Sequence, residues 1–401
     1  MKKRICLVLA VLFCFPLFIF TGCGSSDSVN ITVWAAQMDF EMVRNMTTEW
    51  MAHHNNGRVN RISVQIVEDH DAIGEWSANP DLAGDIISFP SDQLGEFIAI
   101  NGLFPIIEDN FVAQINQNMD EAVAATKGTI TAQGETRIFN FGFPYTFDTH
   151  VLYYDTRLLS AGQAASFESI FNIGMATPIG ISMTDAFYTA NFFMTYGARL
   201  FGHYGTDPNF LDFNSDASVE AMEWVSDNRS SIQNVARGAA TGIIGRDIAS
   251  YISGPYAYFS FRQALGQNLG IAALPAIGDR PMVSFANFKM YGVSQRTAHR
   301  DLAMEIAAFL ANEQNQRTRF QFRRYIPTNS ALQADETVLA DPLFGAVMEQ
   351  TDNIVGVPSI PAVSGFWIPV GRTVGFVHSG TIARGDIRSR LNEMVAEILS
   401  A

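Results

Sequence analysis

Cysteine is nearly absent. The 401-residue chain carries three, Cys6, Cys14 and Cys23. No thiol occurs beyond position 23, which excludes disulfides, cysteine zinc sites and thiol nucleophiles from that stretch. Lysine is as scarce: after Lys2 and Lys3 only Lys127 and Lys289 occur, so the basic surface is almost wholly arginine. Positive charge is in deficit, 26 basic against 40 acidic residues, for a formal net charge of −14. A nucleic-acid partner calls for a basic footprint, so this balance argues against one. Phosphate-cradling loops, H-E-x-x-H and G-x-S-x-G are all missing. Nothing in the motif content demands an enzyme, a cofactor or a resident metal. What is there is a globular composition, 48% hydrophobic and 16% charged, with a length that predicts about two domains.

The one long apolar run opens the chain. Lys2, Lys3 and Arg4 precede the 16 residues Ile5 to Phe20, which Pro16 interrupts. A membrane-spanning helix needs roughly 20 apolar residues, so 1–22 reads as a signal peptide. The stretch Phe20-Thr21-Gly22-Cys23 resembles the lipobox of bacterial lipoproteins, with Phe20 in place of the usual leucine. The resemblance implies lipid on the Cys23 thiol. Residues 23–29, with Gly24, Ser25 and Ser26, read as the flexible tether such an anchor would have.

Beyond the tether the pattern alternates between strand and helix. Ile31-Thr32-Val33-Trp34 predicts a strand, and Asp39 caps a helix that carries Phe40, Val43, Met46 and Trp50 on one face. Ile62, Val64 and Ile66 alternate in a second strand, and 85–89 reads as a third, buried one. Later come a strand at 151–154, helices at 190–200 and 219–224, a strand at 270–275, and helices at 302–310 and 387–399. Such alternation predicts βαβ units and mainly parallel sheets flanked by helices.

Two clusters have metal-like donors. Glu68-Asp69-His70-Asp71 reads as a solvated loop after a strand. Asp212, Asn214, Asp216, Ser218 and Glu223 stand at EF-hand spacing, but Ala217 occupies the place where that loop needs glycine, so helix capping is the preferred reading. The His53-His54 pair reads as the polar end of a helix. More telling are aromatics beside carboxylates at element ends: Phe89 to Gln93, Phe143 to Asp148, Asp185 to Tyr188, Ser253 to Tyr256, and Ser364 to Trp367. Flat rings cover the C–H patches of a sugar and carboxylates accept its hydroxyl hydrogen bonds.

These stretches, with ITVWAAQ (31–37), GDIISFPSDQLGEFIAINGLFPI (84–106), YGARLFG (196–202), IAALPAIGDRP (271–281), AMEIAAFLANEQNQ (303–316) and IPTNSAL (326–332), resemble the extracellular solute-binding proteins of bacterial ABC sugar importers, the group that includes the maltodextrin binders. The resemblance covers nearly the whole chain after the tether. It implies an α/β, two-lobed Venus-flytrap fold, with 30–147 and 290–326 in one lobe and 148–289 and 327–401 in the other. It also implies a monomer anchored outside the cytoplasm through Cys23 and partnered by an ABC permease. Periplasmic binding proteins close about a hinge around their ligands, and the same motion is expected here.

Carried over position by position, the carbohydrate site comprises Phe89, Asp92, Gln93, Asp148, Asp185, Phe187, Tyr256 and Trp367. Here Phe89 and Tyr256 stand for tryptophans, Gln93 for an arginine, and Asp148 and Asp185 for glutamates; Gly371 replaces a further arginine. Two alternatives remain open on the residues alone. The same acids and rings suit a cationic ligand such as a polyamine, and Asp148 with Asp185 could serve a glycoside-active enzyme.

Overall fold

The computed structural model describes residues 28–202, 205–236 and 238–400, so the leader 1–22 and Cys23 lie outside the described residues. Thirteen strands occur among the described residues: β1 Asn30–Ala35, β2 Arg61–Ile66, β3 Ile86–Pro90, β4 Lys127–Ala132, β5 Glu135–Asn140, β6 Phe143–Asp148, β7 Val151–Asp155, β8 Ile179–Ile181, β9 Ile232–Asn234, β10 Ser250–Ser253, β11 Leu269–Ala272, β12 Ser284–Val293 and β13 Ile354–Gly356. They form two large sheets and the hairpin β4–β5.

The first sheet runs β13-β12-β3-β1-β2, with β6 also on β12. β1 is parallel to β2 and β3, placing Val33 between Val64 and Ile86. Those β-branched residues suit a pleated surface covered on its faces. The helices Phe40–His53 and Arg300–Leu310 supply the cover, burying Val43, Met46, Trp50, Ile306 and Ala307. The second sheet runs β11-β7-β10-β8-β9. Its β8, β9 and β10 are parallel, while β7 opposes β10 and β11. The fold is therefore two lobes of α/β architecture, each sheet part parallel and part antiparallel because β12 runs against β3 and β6 and β7 against β10 and β11.

Among the described residues, three segments join the lobes. The chain leaves β6 and enters β7 through Thr149-His150, and Ile326 bridges to Phe147 after the helix Glu313–Arg323. The third is β12. Its Phe285 packs in the core of the second lobe and its Tyr291 and Val293 in that of the first. β12 thus carries residues of both cores, and its pairing with β6 shifts register between Lys289 and Met290.

Two local expectations are corrected. The helix read at 190–200 spans Ala186–Thr195, because the Asp185 carboxylate accepts the Phe187 N–H at 3.1 Å and starts it early. Gly197, at φ +96°, then turns the chain away. Asp39 occupies the start of its helix but makes no capping bond; its side chain is buried instead. At 212–223 capping is what the structure has. Ser215 accepts the Ser218 N–H at 3.2 Å, while Asp216 pairs with Arg388 and Glu223 with Arg384.

Asp39 is buried near Arg319, which has no solvent exposure at all. The Arg319 guanidinium lies 4.5 Å from the Tyr145 ring centroid and donates to the Tyr291 hydroxyl at 2.7 Å. Burial pushes the Asp39 carboxyl up, and Arg319 and Lys289 pull it back. Removing one member of a buried charge set strands the other. Arg319→Ala is expected to lose about 3–5 kcal/mol of unfolding free energy, measured by urea denaturation. Replacing Arg319 and Asp39 together by leucine costs less than the single change, and equal costs would contradict the coupling.

Candidate functional site

Parallel strands end where their chains turn into helices, and crevices form outside those carboxyl ends. Both lobes obey this. In the first, β1 runs into Ala36 and Met38, β2 into Glu68, Asp69 and His70, and β3 into Asp92. In the second, β8 leads to Asp185 and Phe187, and β10 to Tyr256. All of these residues line one cleft of about 530 Å³, within the ~300–1,000 Å³ typical of small-molecule sites. Asp148, at the end of β6 in the first sheet, and Trp367, the first residue of the helix Trp367–Ser379 in the second lobe, complete the lining. Asn287 and Lys289 also line the cleft, two residues apart on β12 and so on one face of the strand.

Lys289 organises the charge. Its ammonium lies 3.1 Å from Asp69 Oδ2 and 3.8 Å from Asp148 Oδ2. Burial alone would lower the pKa of the ammonium, but Asp69 and Asp148 outweigh it and hold it well above the usual lysine range. Asp69 is itself buried and accepts the Ser88 hydroxyl at 2.6 Å. Asp92 accepts from Asn287 Nδ2 at 3.1 Å; burial pushes its carboxyl up, against that hydrogen bond.

Rings form the opposite surface. Phe187 packs edge-on against Trp367 at 6.4 Å, and Trp367 against Phe285 at 5.8 Å and Phe366 at 5.3 Å. Edge-to-face contacts of this kind fix the orientation of the indole. The Tyr256 hydroxyl contacts that of Tyr188, which stacks on His150. Gly254 makes room for the fold-back: a Cβ there would lie 2.4 Å from the Tyr256 ring.

Of the eight residues expected in the site, the structure brings six together: Asp92, Asp148, Asp185, Phe187, Tyr256 and Trp367. Phe89 and Gln93 are corrections. Phe89 is still inside β3, fully buried, with its ring 4.9 Å from that of Phe97; it belongs to the core behind the wall. Gln93 donates to the carbonyls of Asp69 and His70 and accepts the Ile73 N–H, so it pins the turn carrying Asp69 and does not face the cleft.

Sequence reading missed Asp69, Lys289, Asn287 and Tyr325. The 68–71 stretch, read as a solvated loop, has Asp69 buried and Glu68 and His70 in the cleft. Its position straight after β2, matching that of Asp92 after β3, was the available signal. Among the described residues, no three His, Cys, Asp or Glu side chains converge as a metal cluster, and no helix is long and apolar enough to cross a membrane.

Residues 45–346 match the sequence profile of the bacterial extracellular solute-binding proteins. A galactooligosaccharide-binding protein of Bacillus subtilis (strain 168) is 24% identical, covering 89% of this chain and 86% of its own. A maltooligosaccharide ABC transporter solute-binding lipoprotein of Streptococcus pneumoniae (R6) is 22% identical over 78% of this chain and 75% of its own. Among solved structures, a maltodextrin binding protein from L. casei BL23, without ligand, superposes with a TM-score of 0.83 at 21% identity, covering 93% of this chain and 100% of that one.

Proposed function

Because this chain belongs to the bacterial extracellular solute-binding protein family, we propose that it is the receptor of an ABC importer, capturing a sugar or oligosaccharide between its lobes and delivering it to the permease. The observation that carries this reading is the cleft. Carboxylates from both lobes and three rings from one of them converge on a single crevice at the carboxyl ends of the strands. A sugar presents hydroxyls around its edge and C–H patches on its faces, and the two kinds of side chain match those two surfaces.

Capture follows from the division of the site. Asp92 stands on one lobe, and Asp185, Phe187, Tyr256 and Trp367 on the other, so all of them engage one ligand only when the lobes meet. Ligand binding therefore selects the approached arrangement. Lys289 already supplies the cation that Asp69 and Asp148 take up, which favours a neutral sugar over a polyamine. The family and the relatives are binding proteins, and the cleft carboxylates act here as hydrogen-bond acceptors and ion-pair partners. Lipid on Cys23 holds the receptor outside the cytoplasm, a reading supported by the word lipoprotein in the name of its pneumococcal relative.

Calorimetry with malto- and galacto-oligosaccharide panels tests the reading. Trp367→Ala is expected to weaken binding by about tenfold or more, as loss of a central aromatic anchor does. In the native protein the tryptophan fluorescence shifts on titration with the same sugar. If no sugar of the panel binds or moves the fluorescence, the receptor reading is wrong.

A further inference from the structure

The crossing from β6 to β7 buries a histidine. Thr149 and His150 have no solvent exposure, although they connect two lobes. Connections usually run over the surface, where their polar groups meet water. Asp148, just before them, faces Lys289 and through it Asp69 of the first lobe. The Thr149 hydroxyl instead lies 2.8 Å from that of Ser284, the first residue of β12, and His150 is held by the helix Ala186–Thr195. Between Asp148 and Thr149 the chain therefore passes from the polar contacts of one lobe to those of the other.

The imidazole is seated on that helix. Asn191 follows Tyr188 by three residues and Phe187 by four, so the three side chains are neighbours along it. The Asn191 amide nitrogen is 3.0 Å from His150 Nδ1. The His150 ring stacks on Tyr188, centroids 4.6 Å apart and planes at 29°, and meets Phe187 edge-on at 4.6 Å and 67°. Such ring pairs are directional. With its own tilt fixed by Asn191, the imidazole fixes that of both neighbours.

Both neighbours lead to the cleft. Phe187 lines it, and the Tyr188 hydroxyl contacts that of Tyr256, which also lines it. One histidine behind the wall thus touches one sugar-facing ring directly and a second through a single intermediary. An aliphatic side chain would fill the same space without this directional hold.

We propose that His150 is a positioning residue for ligand capture, tying the crossing between the lobes to the ring wall and holding Phe187 and Tyr256 at the angle that receives the ligand. The inference rests on the sugar-binding reading and adds to it the residue that keeps the wall aligned with the hinge.

Calorimetry on the full chain tests it, with the malto- or galacto-oligosaccharide that binds wild type most tightly, alongside thermal melting of each unliganded variant. His150→Leu is expected to bind about tenfold more weakly, the size of two lost ring contacts. Tyr188→Leu breaks the same chain one step further on and is expected to lose a similar factor, so either variant decides if the other does not fold. A double variant, His150→Phe with Asn191→Leu, restores a flat ring and removes the amide that would lose its partner; its affinity is expected to return to within about threefold of wild type. A residue that only fills the core would lower the melting temperature and leave affinity unchanged. Wild-type affinity in His150→Leu, or no recovery in the double variant, overturns the positioning role while the sugar-binding reading stands. Failure of wild type to bind any sugar of the panels removes both.

Discussion

Lys289→Met is expected to cost about 3 kcal/mol of unfolding free energy and to reduce sugar affinity by about tenfold or more. The ammonium stands between Asp69 and Asp148, 3.1 and 3.8 Å away. Methionine keeps the aliphatic stem but leaves the buried Asp69 facing a second carboxylate with no counter-charge. Both walls then shift, because Asp69 belongs to the turn after β2 and Asp148 to the crossing from β6 to β7. The pH dependence has a definite sign. The folded-state pKa of Lys289 is raised above its unfolded value of 10.5, so its contribution is complete below 10.5 and is lost only as pH climbs through the folded value. The loss in the variant is therefore the same at every neutral pH. Urea unfolding at two neutral pH values and sugar calorimetry check this. A variant as stable as wild type would show that the three groups do not act as a unit.

Gly95→Leu acts on binding without touching the cleft. Gly95 lies in the helix Leu94–Ala99 just after Asp92, and Ser359 and Ile360 precede the turn that carries Trp367. The lobes meet here. A Cβ at Gly95 would sit 1.9 Å from the Ser359 carbonyl oxygen and 2.9 Å from the Ile360 Cα. The obstacle is backbone, so no side-chain rotation relieves it. The unliganded variant escapes the clash by separating its lobes, whereas the liganded one cannot. Apparent affinity falls by the fraction of molecules still able to close, and we expect a loss of about tenfold or more with the melting temperature of the unliganded protein little changed. Undiminished affinity would mean that capture does not require this rim contact.

How much of the site was legible depended on position within the chain's elements. Asp92, Asp148, Asp185 and Tyr256 sit at or just beyond strand ends, where aromatic-carboxylate pairs stand out from the periodic pattern. Phe89 misled because it neighbours Asp92 in sequence, yet it is still in β3, and its side chain goes to the core. Gln93 misled for a related reason: its amide closes hydrogen bonds to the 69–73 turn. Lys289 was conspicuous as one of two lysines after the leader, but no local pattern tied it to Asp69 or Asp148.

The residue order by itself determined the α/β class, the existence of several of its strands and helices, and the pairing of acids with rings that marks a sugar binder. Those are local properties, set by side-chain periodicity and by the backbone preferences of a few neighbouring residues. Which strand ends share a crevice was decided only by tertiary structure. Asn287 reaches Asp92 from 195 positions away, and it does so because β12 spans both lobes and joins β3 to β6. Long-range pairing of that kind depends on how whole sheets assemble, which no short stretch of residues encodes.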